Sequence, residues 1–313
     1  MINFAKHAPP ALPGPLELQA DLRERLPQFS QVSWVESTGS TNADLMAQGR
    51  ERPNPSAWPR LLGSHHQHAG RGRAGRTWKD QPGQALMFSC GFQSKNNPRA
   101  NQGAQGLQAF QGLGPAIGVA SCETLRKFAD TSSEHRDGQP QTQPQGQPQG
   151  LRLRLKWPND LMLDEGKLAG ILIESQIRDD RLLLVIGMGL NLTGAASLSK
   201  DLQRPVAALS ELELEHRGAP LTCDQLVAAL ARAWQDTVNE MEVSGFETFS
   251  SRFDDVDFLQ QKPVSIIEQE RTLFEGKACG VNAHGALLVQ TAQSIETVTV
   301  GDVSVRLSAR QAP

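Results

Sequence analysis

Apolar side chains recur along this chain in two rhythms, and each predicts a kind of element. Spacing of three and four residues marks Leu16 to Leu26 as a short amphipathic helix, Leu107 to Phe128 as a first long helix and Leu221 to Met241 as a second, with Phe246 to Phe253 continuing into a short one. Gly112, Gly114, Pro115 and Gly118 weaken the start of the first long helix. Alternation, or a short solid apolar run, predicts strands at Gln31 to Ser37, Leu61 to Ser64 and Ala85 to Phe92. Ser40 or Thr41 is placed to cap a helix over Ala43 to Gln48, and the RERPNPSAWPR that follows reads as a Pro-broken loop. Four further runs cover Leu151 to Lys156, Leu161 to Leu163, Leu168 to Gln176 and Leu182 to Leu192. The turn signals DEG and RDD divide the last three, which makes a β-meander. From Lys262 to Leu307 short alternating stretches turn at HG and GD with no helical period, as in a small β-barrel.

Between the first long helix and the meander, Thr131 to Gly150 holds no large apolar side chain. Burial there cannot offset the entropy of ordering, so a disordered insertion within a domain is expected. The divisions read as an N-terminal extension over 1–29, a mixed α/β body over 30–256 and a small β domain over 257–313. The 313 residues carry a net charge of -3, which speaks against a broad electrostatic footprint for nucleic acid or anionic lipid. The four cysteines stand far apart without zinc spacing and read as reduced thiols. No run approaches the roughly 18 apolar residues of a membrane span, and the start lacks a signal-peptide pattern; a cytoplasmic protein is expected.

Local chemistry departs from this bland average at two places. GRGRAGR, Gly70 to Arg76, interleaves three guanidinium groups with three glycines, so the backbone can fold closely round an anion that the arginines neutralise. Gly70, Gly72 and Gly75 satisfy GxGxxG, but GSHHQHA before them and TWKDQPG after them are neither the strand nor the helix that a dinucleotide fold requires. Further on, KWPNDLMLDEGKLAGILIES presents Lys156, Asn159, Asp160 and Lys167 on a tight hairpin, where Ala169 and Gly170 allow a ligand close approach. His65, His66 and His68 have no acid or Cys nearby to complete a zinc shell, and no Ser-His-Asp or Cys nucleophile has local support. A loop and a platform of this kind suit an enzyme that handles two anions at once; the rival reading is a non-enzymatic Arg/Gly nucleic-acid binder.

Taken in order, STN, GRGRAGR, KWPND, KLAGILIE and GMGLN, followed by the β-rich tail, resemble the biotin protein ligases over roughly residues 33 to 308. That resemblance implies an α+β fold: a mixed β-sheet with flanking helices, like the catalytic body of class II aminoacyl-tRNA synthetases, plus a small C-terminal β-barrel. It implies ATP, Mg²⁺ and biotin, formation of biotinyl-5′-AMP with release of pyrophosphate, and transfer to a lysine of a biotin carboxyl carrier protein. Lipoate ligases, which share the body, are the nearest alternative. Carried over by position, Ser40, Thr41, Asn42 and Gln67 match residues at the ureido head, with Gly70 beside them, and Arg71 bridges head and intermediate. Lys167 matches the lysine on carboxylate and α-phosphate and, with Arg71 and Arg73, the catalytic set. Leu168, Gly170 and Ile171 would wall the biotin tail. Arg73 and Arg76 would order the loop over the phosphates, Trp78 would cover the adenine, and Lys156, Asn159 and Asn191 would line the nucleotide side, with Asp160 facing the acceptor amine. Some members carry an N-terminal helix-turn-helix; the short stretch before Gln31 leads to the expectation of a ligase without DNA binding, as a monomer or weak homodimer. HHQHA in place of the more usual paired glutamines and the Gln/Pro insertion are departures from the family pattern.

Overall fold

A computed structural model describes residues 11–51, 57–79, 81–94, 109–134, 152–178, 181–216, 219–301 and 303–308. Its centre is a seven-stranded sheet built from β1 (Gln31–Thr38), β2 (Arg60–Gln67), β3 (Ala85–Gln93), β4 (Leu153–Lys156), β5 (Asp160–Leu163), β6 (Gly166–Arg178) and β7 (Arg181–Asn191), in the order β1-β2-β3-β7-β6-β5-β4. β1 and β2 run parallel, joined through the crossover helix α2 (Thr41–Glu51); every other pairing in this sheet is antiparallel. Helix α1 (Pro15–Arg25), α3 (Leu113–Glu134) and α5 (Cys223–Ser244) cover one face and, with it, enclose the main apolar core around Phe88, Trp157 and Trp234. Phe88 and Trp234 stack with ring centroids 5.0 Å apart. On the opposite face α2 makes a smaller core of Leu45, Trp58, Leu62, Leu183 and Val185 and leaves the rest of the sheet open to the candidate site.

Beyond β7 come a short helix α4 (Ala195–Leu202), a two-stranded ribbon of β8 (Glu215–His216) and β9 (Ala219–Pro220), and α6 (Ser250–Val256). The hydrophobic pattern gave no sign of α4 or the ribbon. The C-terminal unit is a five-stranded antiparallel sheet: β10 (Pro263–Glu268), β11 (Arg271–Val281), β12 (Leu287–Gln290), β13 (Ile295–Val298) and β14 (Val303–Leu307). Its order is β13-β12-β11-β10-β14, and no pairing joins the two edge strands among the described residues.

Two boundaries moved for physical reasons. The first long helix begins at Leu113 rather than Leu107, because Gly112 adopts a left-handed φ of 79° and a Cβ there would strike the Phe246 ring and the His284 carbonyl. The same helix continues through Thr131 to Glu134, the first four residues of the expected insertion; residues 135–150 lie outside the described residues. No helix among the described residues is long and apolar enough to cross a membrane.

Candidate active site

The site grows from two adjacent cross-strand rows on the α2 face of the large sheet. One row runs Lys156, Asp160, Gly170, Gly189; the next runs Leu172, Gly187, Ser89. Three glycines in the middle leave a hollow in the sheet surface. Trp78 lies in it: a Cβ on Gly189 would collide with its indole, and one on Gly170 would sit 3.2 Å from the ring and 3.1 Å from Lys167 Nζ. The β5–β6 register puts Lys167 opposite Met162 and Ala169 opposite Leu161, so Leu168 is an extra, bulged residue. In a regular strand Lys167 and Gly170, three apart, would face opposite ways; the bulge turns both toward the hollow. Lys167 is pinned there by its backbone, which donates to Pro205 O at 3.2 Å and accepts from Ala207 N at 3.0 Å. Its Nζ meets Asp160 Oδ1 at 2.6 Å.

At the other end of the hollow, the turn after β1 brings Ser40, Thr41 and Asn42 to the start of α2, all nearly buried. Proton accounting fixes their roles. Ser89 Oγ donates to Asn42 Oδ1 at 2.6 Å, so its contact with Thr41 Oγ1, 2.7 Å, must be donated by threonine. Gln67 Oε1 accepts the Thr41 N–H at 2.8 Å, which points the Gln67 amide NH₂ elsewhere. What these groups leave unspent is a hydroxyl donor on Ser40, an NH₂ donor on Gln67 and an acceptor lone pair on Asn42 Oδ1. A cyclic urea, with one carbonyl and two N–H groups, complements that set.

The Arg/Gly loop closes over both ends. Gly70 O accepts from Trp78 N at 3.0 Å and Arg71 bridges Thr77, giving the loop a paired base; Ala74 and Gly75 turn its tip with φ of 52° and 70°. Arg73 donates to Asn159 Oδ1 at 3.3 Å and to Gly301 O of the C-terminal sheet at 2.7 Å. The cavity wall carries Arg71, Arg73, Arg76, Lys167 and Arg204 against the single carboxylate of Asp160. Even with Glu174 3.9 Å from Arg71 just outside the lining, the excess of cations calls for a polyanion. The cavity measures about 110 Å³, below the roughly 300–1,000 Å³ usual for ligand pockets, because Trp78 fills its floor. Trp78 Nε1 is buried with no hydrogen-bond partner among the described residues.

Of the residues singled out in the sequence, Ser40, Thr41, Asn42, Gln67, Arg71, Arg73, Arg76, Trp78, Asn159, Asp160, Lys167, Gly170 and Ile171 line this one cavity. Four stand behind it. Leu168 is wholly in the main core, where the bulge sends it, so it does not reach the cavity as a tail wall. Lys156 is half-buried beside Asp160; burial first, then Lys167, Arg204 and Arg76, push its amine below the usual lysine value, against the pull of Asp160. Asn191 braces backbone, donating to Lys167 O at 3.3 Å and Ala207 O at 3.1 Å, and Gly70 serves the loop base. Trp78, expected over an adenine, rests on the glycine floor. Ser89, Gly187, Gly189 and Arg204 were not singled out. A serine inside the apolar run LMFSCGF was the signal for Ser89, since a buried hydroxyl needs partners; Arg204 follows α4, where the pattern was silent. Among the described residues no three of His, Cys, Asp and Glu gather as for a metal. His65 instead accepts from Trp34 Nε1 at 2.7 Å and meets Pro13 O at 2.8 Å.

The site is thus a sheet-borne hollow with a urea-complementary end and a cationic end. Residues 35–191 match the biotin/lipoate A/B protein ligase family and residues 262–306 match the biotin protein ligase C terminal domain; the chain belongs to that family. It is 29% identical to the bifunctional ligase/repressor BirA of Escherichia coli over 78% of this chain and 65% of that one. With the biotin–acetyl-CoA-carboxylase ligase of Mycobacterium tuberculosis it shares 32% identity over 53% of this chain and 51% of the relative. The chain thus spans about half to two-thirds of these relatives. The biotin protein ligase of Aquifex aeolicus, solved with biotin and ATP, superposes with a TM-score of 0.64 at 21% identity, over 90% of this chain and all of that one, and shares its fold.

Proposed function

We propose that this chain is an ATP-dependent biotin protein ligase, and the observation that carries the reading is the bulge that brings Lys167 onto the same face as the glycine hollow. Ser40, Gln67 and Asn42 would take the ureido oxygen and N–H groups of biotin, and the glycine floor of β6 and β7 its apolar tail, once Trp78 moves aside. The match at residues 262–306 favours biotin over lipoate.

MgATP is the second substrate, the metal arriving on the triphosphate. The biotin carboxylate and the triphosphate repel each other, so a site must neutralise both before a carboxylate oxygen can attack the α-phosphorus. Lys167 would bond both; Arg73, Arg76 and Arg204 would hold the phosphates that leave as pyrophosphate, with Asn159 anchoring Arg73. No enzyme nucleophile is needed, since the carboxylate itself forms the new P–O bond. The mixed anhydride must then be shielded from water, the task of the Arg/Gly loop. In the second step the amine of an acceptor lysine attacks the acyl carbon, AMP departs, and the proton lost from nitrogen can pass to Asp160. A biotin carboxyl carrier protein is the acceptor that this reading implies.

Biotin-dependent exchange of labelled pyrophosphate into ATP tests the reading, with lipoate in parallel. Exchange with biotin alone is the expected result; exchange with lipoate alone would move the chain to the sister chemistry, and none with either would leave a binding protein. We also propose a monomer, because both edges of the large sheet are already engaged. On β1, Gln19 accepts from Trp34 N and Arg23 donates to Val32 O; on β4, Arg126 donates to Leu153 O and Phe258 N to Leu155 O. Sedimentation at the mass of one chain is expected at micromolar concentration.

A further inference from the structure

Glu174 belongs to none of the roles above, yet it touches both halves of the site. It follows Gly170 and Leu172 on the same face of β6, one row beyond the hollow, in register with Val185. Its Oε2 accepts from Asn42 Nδ2 at 2.9 Å, and its Oε1 stands 3.9 Å from Arg71 NH1. Asn42 is held on its other side by Ser89 and has a second donor contact, at 3.3 Å, to Leu172 O. A Cβ at Gly187 would collide with Asn42 Oδ1, so the amide sits in a fitted notch with both of its hydrogens spent. Arg71 is different: its side chain is 57% exposed, it opposes Thr77 at the base of the Arg/Gly loop, and its ion pair is long. One carboxylate therefore grips the head-group residue firmly and the loop loosely.

We propose that Glu174 is a positioning residue that couples occupation of the ureido end to closure of the Arg/Gly loop. The inference rests on the biotin-ligase reading and extends it. When Asn42 Oδ1 accepts a ligand N–H, its NH₂ becomes a stronger donor to Glu174, because hydrogen bonds in series polarise one another. The bound ligand also strips water from the carboxylate, which strengthens its attraction for Arg71 and draws the loop base inward. Glu174 itself touches no reacting atom.

The test compares the parent with Glu174→Gln, Arg71→Gln, the double variant and Glu174→Ala. Two quantities are read: biotin affinity by calorimetry, and AMP released with biotin and ATP but no acceptor, which measures escape of the adenylate to water. Glu174→Gln keeps an oxygen for Asn42 and loses the charge for Arg71. Its biotin affinity should stay within ~3-fold of the parent while AMP release rises by ~10-fold; Arg71→Gln should show the same rise, and the double variant no more. Glu174→Ala should lose ~10-fold in biotin affinity as well. Thermal unfolding checks that each variant folds, and the isosteric Glu174→Gln carries the test should the alanine variant not. Parental AMP release by Glu174→Gln, or rises that multiply in the double variant, would overturn the coupling while the ligase reading stands. A parent that shows no biotin-dependent exchange of pyrophosphate into ATP would sink both.

Discussion

Lys167 shows how much can hang on where one side chain points. Its ammonium lies 2.6 Å from Asp160 and 5.8 Å from the centre of the Trp78 ring, in a wall whose other cations are guanidinium groups. Removing it leaves the α-phosphate without the one cation that can also reach the carboxylate, so Lys167→Ala should cut pyrophosphate exchange by at least ~100-fold with the melting temperature little changed. Undiminished exchange would remove Lys167 from the chemistry. Residue identities at this site were readable in advance because lysine, arginine and small residues packed into short motifs have few bland explanations. Their partners were harder to see. Ser89 and Glu174 act through hydrogen bonds to residues 47 and 132 positions away, and separations of that size leave no local trace.

At the scale of elements, β7 does the most to shape the site. Gly187 and Gly189 alternate with the core residues Ile186, Met188 and Leu190, so the strand offers an apolar side to the main core and a bare side to the hollow. Gly187→Ala would drive a methyl group into Asn42 Oδ1 and Ser89 Oγ, and biotin affinity measured by calorimetry should fall by ~10-fold or more while circular dichroism keeps the parental spectrum. Unchanged affinity would mean that the Asn42 notch is not used. Most elements were legible from periodicity: the strands of the meander, α1 and α5 fall within a few residues of their expected bounds. What escaped were pieces too short to show a period, α4 and the β8–β9 ribbon, and the bulge at Leu168, which is a property of a pairing rather than of a strand.

At the scale of the whole molecule, Asp257 bridges β4 through Leu155 just before the C-terminal sheet begins. Its Oδ1 accepts from Leu259 N at 2.8 Å, while Oδ2 is buried without a partner among the described residues. Burial lifts the carboxyl pKa to about 6, reinforced by Asp254 and opposed by the Leu259 N–H, Arg154 and Lys262. Because the folded value lies above the unfolded one, the stabilising contribution is complete below about pH 4 and is lost as pH rises through about 6. Relative to the parent, Asp257→Asn should therefore gain stability between those limits, by on the order of 1–3 kcal/mol, and stay level above them in urea titrations. A flat difference across that range would mean that Asp257 ionises without penalty. Motif order and hydrophobic period, read from the sequence alone, determined the family resemblance, the α+β class and most of the cationic inventory, since these depend on residue types and local spacing. Only the tertiary structure decided that Lys167 faces the hollow, that Trp78 rests on its floor, that Leu168, Lys156 and Asn191 stand behind it and that the C-terminal strands pair in the order β13-β12-β11-β10-β14. Each of those depends on how one strand registers against another, and register is fixed by contacts between residues far apart in the chain.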